Sequence, residues 1–192
     1  GAGAWYTLQR SLPSLDGNMP LAGLGAAVRV ERDALGVVTV AAGERLDAVR
    51  ALGYVHAQER FFEMDLMRRS AAGELAALFG APAVELDRGH RLHRFRARAT
   101  DVLASASTAD RASIDAYVEG VNAGLAALAA KPFPSLLLRQ APAPWRAEDS
   151  VLVVYAMFLD LNDEANALEL ARAEIARRAP PALARFLDGA GT

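Results

Sequence analysis

Apolar and polar residues alternate in one short part of the chain. Residues 28–32 read Val-Arg-Val-Glu-Arg, and residues 37–40 read Val-Val-Thr-Val, in which every side chain is β-branched. Both patterns are typical of strands that bury one face. Residues 33–36, Asp-Ala-Leu-Gly, are typical of a turn. The pattern therefore predicts a β-hairpin over residues 26–41.

Helical spacing of apolar residues dominates the chain after the hairpin. Residues 44–72 repeat apolar side chains with a helical period, and Gly73 is placed to end that helix, while Gly53 is expected to interrupt it. Ser107 or Thr108 is expected to cap a later helix, because an aspartate follows in its first turn. Further helical segments are predicted over residues 84–103, 107–130, 149–160 and 165–178.

Together these elements predict one α+β domain over residues 1–192. It consists of an irregular N-terminal arm at 1–25 with one or two helical turns at 5–12, the hairpin, and a helical part at 44–187. A two-stranded hairpin is not independently stable in water. We therefore expect its strands to join a sheet that another chain supplies.

Composition places the chain among globular proteins and argues against several kinds of partner. Hydrophobic residues make up 53% and charged residues 23%, a balance that disordered chains lack. The net charge of −2 does not indicate binding to nucleic acid or to an anionic membrane surface. No run of about 20 apolar residues is present, so insertion into a membrane is not expected. The absence of cysteine excludes a disulfide framework and a cysteine nucleophile.

Two of the three histidines have a spacing that metal sites also use. His90 and His93 are three residues apart on a predicted helix, with Asp87 or Glu85 as the nearest further ligands. The arginines around this pair would repel a divalent cation, so we favour a surface or ion-paired role. The third histidine, His56, has no serine or cysteine close by, which favours a structural role over that of a catalytic base.

A dense run of charges follows His56. It consists of Glu59, Arg60, Glu63, Asp65, Arg68 and Arg69. A solvated or ion-paired helix face is favoured over a functional site, because such pairs are common on helix surfaces. From the residues alone, the chain is a mainly helical globular domain with no evident catalytic group.

The segment that holds these charges carries a resemblance to a known family. Residues 53–65, Gly-Tyr-Val-His-Ala-Gln-Glu-Arg-Phe-Phe-Glu-Met-Asp, are followed by Arg68-Arg69 and by residues 73–80, Gly-Glu-Leu-Ala-Ala-Leu-Phe-Gly. This order resembles the signature of the α chain of penicillin acylases, a family that includes penicillin G acylases, cephalosporin acylases and acyl-homoserine-lactone acylases. Residues 11–17, 23–24, 30–37, 117–123 and 144–149 resemble further motifs of that family, in the same order.

The resemblance implies an N-terminal-nucleophile hydrolase with an αββα fold, which the hairpin of this α chain would complete. In that family the first serine of a separate β chain attacks the amide carbonyl, and its own α-amino group, with a pKa of about 7.7–8.0, serves as the base. The oxyanion hole also belongs to the β chain. No catalytic residue is therefore expected in this chain.

The resemblance also implies the substrates, partners and location. The expected partners are a β chain from the same precursor and a small N-acyl substrate, such as a penicillin or an N-acyl-homoserine lactone. A periplasmic or secreted location is expected, with the signal peptide already removed. The alternative is a non-catalytic helical interaction subunit, an inactive relative of the same family.

Four residues of this chain match functional positions of the family. Phe158 matches an aromatic residue of the acyl pocket, Val154 stands where penicillin G acylases have methionine, and Met157 stands where they have an arginine near the leaving group. The alternative for Phe158 is ordinary helix core. Glu164 matches a carboxylate that binds calcium, the expected cofactor, and the alternative for Glu164 is a helix N-terminal charge. A strict phenylacetyl preference is not expected.

Overall fold

The computed structural model describes residues 2–162 and 167–187, and these are mainly helical. The helices are α1 (Ala2–Arg10), α2 (Arg45–Ala72), α3 (Ala76–Phe79), α4 (Val84–Arg91), α5 (Phe95–Ser105), α6 (Thr108–Ala127), α7 (Phe133–Leu137), α8 (Ala147–Leu161), α9 (Ala167–Arg178) and α10 (Pro181–Leu187), with a 3-10 turn at Ala81–Ala83. The strands are β1 (Arg29–Arg32) and β2 (Val38–Ala41). The predicted class, mainly helical with one hairpin, is confirmed.

Contacts between residues divide the chain into two compact units, Gly1–Ala156 and Met157–Thr192. The first unit contains the hairpin, the helices α1 to α7 and most of α8, and the second contains α9 and α10. The prediction of one domain over residues 1–192 stays a prediction. None of the described helices is long and apolar enough to cross a membrane.

The hairpin forms where the alternating pattern predicted it. β1 pairs antiparallel with β2, with Val30 opposite Val40. The turn is held by Asp33, whose Oδ1 accepts hydrogen bonds from the backbone N–H groups of Leu35 at 2.8 Å and Val37 at 2.9 Å. Across the residues that the structure describes, the sheet has these two strands only. Each strand therefore has one edge with unpaired backbone groups.

The first unit is built around the contact between α2 and α6. A Cβ atom added to Gly120 would overlap the carbonyl oxygen of Arg50, and one added to Gly53 would overlap the carbonyl oxygen of Tyr117. The two helix backbones therefore touch at positions where only glycine fits. The expectation that Gly53 interrupts its helix is wrong, because α2 continues through Gly53 and uses the missing side chain for this contact.

The core lies beside that helix pair. It consists of Ala57, Phe61, Met64, Val121 and Trp145. Trp145, in the connector before α8, is only 2% exposed and meets Phe61 edge to face, with ring centroids 6.3 Å apart. Asn122 on α6 holds the connector, since its side chain donates to the carbonyl oxygen of Trp145 at 2.9 Å and accepts from the Trp145 N–H at 2.8 Å.

Most helix ends agree with their local sequence signals. Gly73 ends α2 in the left-handed conformation, with φ of 68°, and the Ser107 hydroxyl accepts a hydrogen bond from the backbone N–H of Asp110 at 3.1 Å to cap α6. The helical segment predicted at 84–103 is instead divided, because Arg94 takes the left-handed conformation, with φ of 54°. The N-terminal arm is regular over α1, which begins before the predicted turns.

Candidate functional site

Helix α8 carries the three residues that resemble acyl-pocket positions, and all three are exposed. Val154, Met157 and Phe158 are 56%, 52% and 50% exposed. Leu152 and Leu159 of the same helix are buried, at 0% and 7%. Large apolar side chains that remain half exposed at helical spacing are typical of a surface that contacts a ligand or another chain. Phe158 is therefore not a core residue of the described chain.

The first turn of α8 is anchored by a buried carboxylate, Asp149. This residue is 0% exposed, and its Oδ2 accepts hydrogen bonds from the Arg68 side chain at 2.6 Å and from the backbone N–H of Arg146 at 2.8 Å. Its Oδ1 accepts from Arg96 at 3.2 Å. Asp149 therefore joins the start of α8 to α2 through Arg68 and to α5 through Arg96.

Arg68 is the centre of this arrangement. It is 4% exposed, and its Nε donates to Asp65 Oδ1 at 2.7 Å. Its two terminal nitrogens donate to the carbonyl oxygens of Pro144 at 3.0 Å and Ala143 at 2.9 Å. Its guanidinium carbon lies 5.0 Å from the ring centroid of Trp145, a cation–π distance. Such a buried guanidinium is tolerated because its donors are satisfied and carboxylates balance its charge.

Further ion pairs extend this arrangement toward the surface. Arg69 donates to Asp65 Oδ2 at 2.8 Å, and Arg96 forms a two-point pair with Glu74 at 2.9 and 2.8 Å. Burial alone would lower the pKa of Arg96, but the hydrogen bonds and charges of Glu74 and Asp149 outweigh it and raise that pKa. We call the whole set the Arg68 cluster, which consists of Asp65, Arg68, Arg69, Glu74, Arg96 and Asp149. Its three acidic and three basic side chains balance in charge.

The Arg68 cluster corrects the sequence interpretation of the charged run. Ion pairing is present, but Asp65 and Arg68 are not solvated, since they are 5% and 4% exposed. The missed signal is their spacing: they lie four and seven residues after Phe61, on the buried face of α2. By contrast, Glu59 pairs with Arg32 on β1 at the exposed side of the same helix.

His56 on α2 has a structural partner on α6. Its Nδ1 lies 2.9 Å from the Tyr117 hydroxyl. Burial lowers the pKa of His56 below its usual 6.5, Arg60 lowers it further, and Glu59 opposes them. Burial also raises the pKa of Tyr117 to about 12. These two neutral side chains share one hydrogen bond between α2 and α6, which fits a structural histidine.

The other two histidines have separate environments. His90 is 7% exposed, rather than on the surface, and its Nδ1 lies 2.6 Å from the carbonyl oxygen of Ser70. His93 is exposed and stacks on Phe95, with ring centroids 4.9 Å apart. Over residues 2–162 and 167–187, no group of three or more metal-binding side chains is found. Glu164 lies outside the described residues, so its calcium role stays a prediction.

Comparisons with known proteins agree with the resemblance. The penicillin amidase family model matches residues 27–189. The chain is 43% identical over 148 residues to penicillin acylase 2 proenzyme from Pseudomonas sp. strain SE83, covering 77% of this chain and 19% of that protein. It is 36% identical over 177 residues to the acyl-homoserine lactone acylase QuiP of Pseudomonas fluorescens strain Pf-5, covering 90% and 22%. The chain thus spans about a fifth of the length of these curated relatives.

A solved structure is similar over most of both chains. It is a thermostable penicillin G acylase from Alcaligenes faecalis, with a TM-score of 0.64 and 30% sequence identity, and the match covers 84% of this chain and 88% of that chain. The family model spans the hairpin, the Arg68 cluster and the exposed residues of α8 alike. The chain belongs to the penicillin amidase family.

Proposed function

We propose that this chain is the α chain of a heterodimeric acylase, an enzyme that hydrolyses the side-chain amide of small N-acyl compounds. The observation that carries the proposal is a contrast in length. The chain spans 19% of the penicillin acylase 2 proenzyme but 88% of the matched chain in the solved acylase. A chain that matches a small part of a long proenzyme and yet most of one chain of a solved acylase fits a processed subunit.

The exposed surface of the first unit supports a partner chain. Leu35 and Val37 of the hairpin are 89% and 59% exposed, and Trp5 of α1 is 65% exposed. Large apolar side chains of this kind mark protein contacts. The free edges of β1 and β2 also offer backbone groups to neighbouring strands. In the proposal, the hairpin joins the sheet of the β chain and completes an αββα fold.

The proposed reaction takes place on the β chain. Its N-terminal serine hydroxyl attacks the amide carbonyl carbon while its α-amino group accepts the hydroxyl proton. The C–N bond breaks, the amine leaves with that proton, and an ester joins the acyl group to the serine. Water then attacks the ester, the free acid departs, and the serine regains its proton. Since this chain supplies no catalytic residue in the scheme, its task is to bind and orient the acyl group.

The exposed residues of α8 are the proposed acyl-binding wall. Val154 is smaller than the methionine of penicillin G acylases, so the pocket accepts longer or wider acyl groups. Met157 carries no charge where those enzymes have arginine, so selection for a carboxylate on the leaving amine is relaxed. Phe158 supplies an apolar aromatic surface, the kind of lining that small-molecule pockets use. Penicillins and N-acyl-homoserine lactones are both candidate substrates.

Calcium is proposed as a structural ion with one ligand from this chain, Glu164. A hard cation needs several oxygen ligands, and the described part of the chain contains no cluster that would supply them. In the proposal, the other ligands come from the β chain. Elemental analysis of a Glu164→Ala enzyme tests this proposal, because the variant should lose calcium while keeping its acyl preference. A periplasmic or secreted location is proposed together with this assignment.

The proposed function is tested by hydrolysis assays on enzyme made from the whole gene. Purified enzyme should release acid from a penicillin, from an N-acyl-homoserine lactone, or from both. Replacing the first serine of the second chain with alanine should abolish that release. Replacing an exposed serine of this chain, Ser105→Ala, should not. An enzyme that cleaves neither substrate, or one that keeps its activity without that serine, contradicts the proposal.

A further inference from the structure

We propose that Asp149 is a positioning residue: its buried pair with Arg68 fixes the first turn of α8 and thereby sets the selectivity of the enzyme for acyl length. This inference rests on the proposed function, because it takes Val154 as part of the acyl-binding wall. It concerns residues that touch neither the substrate nor the reacting atoms. It follows from how the start of α8 is held.

The carboxylate of Asp149 is held from three directions. Arg68 of α2 lies 2.6 Å from Oδ2, Arg96 of α5 lies 3.2 Å from Oδ1, and the backbone N–H of Arg146 donates to Oδ2 at 2.8 Å. The side chain is 1% exposed, so water does not screen these contacts. The Arg146 side chain adds a longer ion pair to Oδ2, at 4.0 Å. A carboxylate held by these contacts leaves the first turn of α8 little freedom to rotate or slide.

Arg68 fixes the connector into α8 as well as the helix itself. The same guanidinium that binds Asp149 donates to the carbonyl oxygens of Pro144 and Ala143, and it lies over the ring of Trp145. The planar, rigid fork of an arginine makes these contacts mutually dependent. One side chain of α2 therefore determines both the path of the chain before α8 and the position where the helix begins.

This anchoring reaches the proposed acyl-binding wall through a short piece of regular helix. Val154 lies five residues beyond Asp149, about 7.5 Å along the axis at 1.5 Å per residue. A shift of the first turn is therefore passed on to Val154. The reacting atoms belong to the β chain in the proposal, so the shift leaves them in place. Long acyl groups, which reach the wall, should respond, whereas acetyl groups should not.

The test uses processed enzyme from the whole gene with Asp149→Asn, which keeps the shape of the side chain and removes its charge. The measurement is kcat/KM per titrated active site for a series of N-acyl amides from acetyl to long acyl chains. We expect kcat/KM for the long chains to fall about tenfold, mainly through KM, with acetyl substrates changed less than about twofold. Asp115→Asn, the same replacement at an exposed ion pair of α6, is the control and should leave kcat/KM unchanged at every acyl length.

A second pair of variants covers the case in which Asp149→Asn fails to fold or mature. Arg96→Gln removes one of the two guanidinium groups that hydrogen-bond to Asp149, and it should lower kcat/KM for the long acyl chains by a smaller factor. Glu74→Gln weakens the pair of Arg96 with Glu74 but leaves Arg96 paired with Asp149. This variant should not change the dependence of kcat/KM on acyl length. Equal losses at every acyl length, or none, would overturn the inference. Wild-type enzyme that cleaves no acyl amide would instead overturn the proposed function.

Discussion

Several polar residues of this protein act by satisfying one another inside the first unit. Arg68 holds two carboxylates and two carbonyl oxygens, and the Asn122 side chain replaces two backbone partners for Trp145. Buried polar groups are costly when unpaired and tolerated when every donor has an acceptor. Asp65 and Arg68, two charged residues of the family signature, therefore hold the helices together.

The buried pair of His56 and Tyr117 predicts a dependence of stability on pH. Because the pKa of folded His56 lies below the 6.5 of the unfolded chain, the unfolded state binds more protons between these two values. The free energy of unfolding should therefore fall as the pH drops from 7 through 6.5 to the folded pKa. His56→Gln should flatten this part of the curve.

Urea denaturation of the assembled enzyme at several pH values measures that slope, and an NMR titration gives the pKa of His56 directly. His93→Gln, at the exposed histidine, is the matched control and should leave the slope as in the wild type. A folded pKa for His56 above 6.5, or a slope that survives His56→Gln, would contradict the environment described for this residue.

At the scale of elements, close helix contacts position the parts that would bind a ligand. The backbones of α2 and α6 touch at Gly53 and Gly120, and the Arg68 cluster then connects this pair to α5 and α8. The hairpin is fastened to α2 by the pair of Arg32 and Glu59. The first turn of α8 is thus held by side chains of two other helices of the first unit.

Gly120→Ala should destabilise the protein, because the new methyl group would overlap the carbonyl oxygen of Arg50 and push the two helices apart. We expect a loss of about 1–3 kcal/mol, the usual cost of overpacking a close contact. Gly89→Ala in α4 is the control, since a Cβ there meets nothing within 4 Å. That replacement should stabilise the helix by roughly 0.5–1 kcal/mol. Similar midpoints of urea denaturation for the two variants would refute the close contact.

Val154→Met should reduce the space beside the proposed acyl-binding wall. We expect the ratio of kcat/KM for phenylacetyl substrates to that for long acyl chains to rise by a factor of about 10–200, the range for a small change of bulk in an apolar pocket. Val102→Met makes the same replacement at an exposed position of α5, remote in sequence from α8, and should leave the ratio unchanged. An unchanged ratio for Val154→Met would show that Val154 does not line the acyl pocket.

Local signals made the elements predictable, whereas contacts between elements did not show in the sequence. Ser107 and Gly73 define helix ends by their own chemistry, so both ends were expected. The burial of Arg68 depends on Asp149, 81 residues further along the chain, and no local pattern reveals it. The break at Arg94 was missed because a left-handed arginine has no sequence signature. The family resemblance indicated α8 as a site, but the contacts that hold α8 in place became visible only in the structure.

The whole molecule, in the proposed function, includes a second chain. The two-stranded sheet has free edges, and apolar side chains such as Leu35 and Val154 are exposed at 89% and 56%. The matched segments of 148 and 177 residues are only 19% and 22% of the two relatives. A partner from the same precursor would cover these surfaces and supply the nucleophile. The central claim is therefore that catalysis requires both chains.

The most direct test of that claim is the mass of the enzyme purified from cells that express the whole gene. Under native conditions, mass spectrometry should show one complex, and under denaturing conditions that complex should separate into a smaller chain that contains this sequence and a larger chain. N-terminal sequencing of the larger chain should begin with serine. An uncut single chain that hydrolyses acyl amides, or an active second chain that lacks the α chain, would contradict the account.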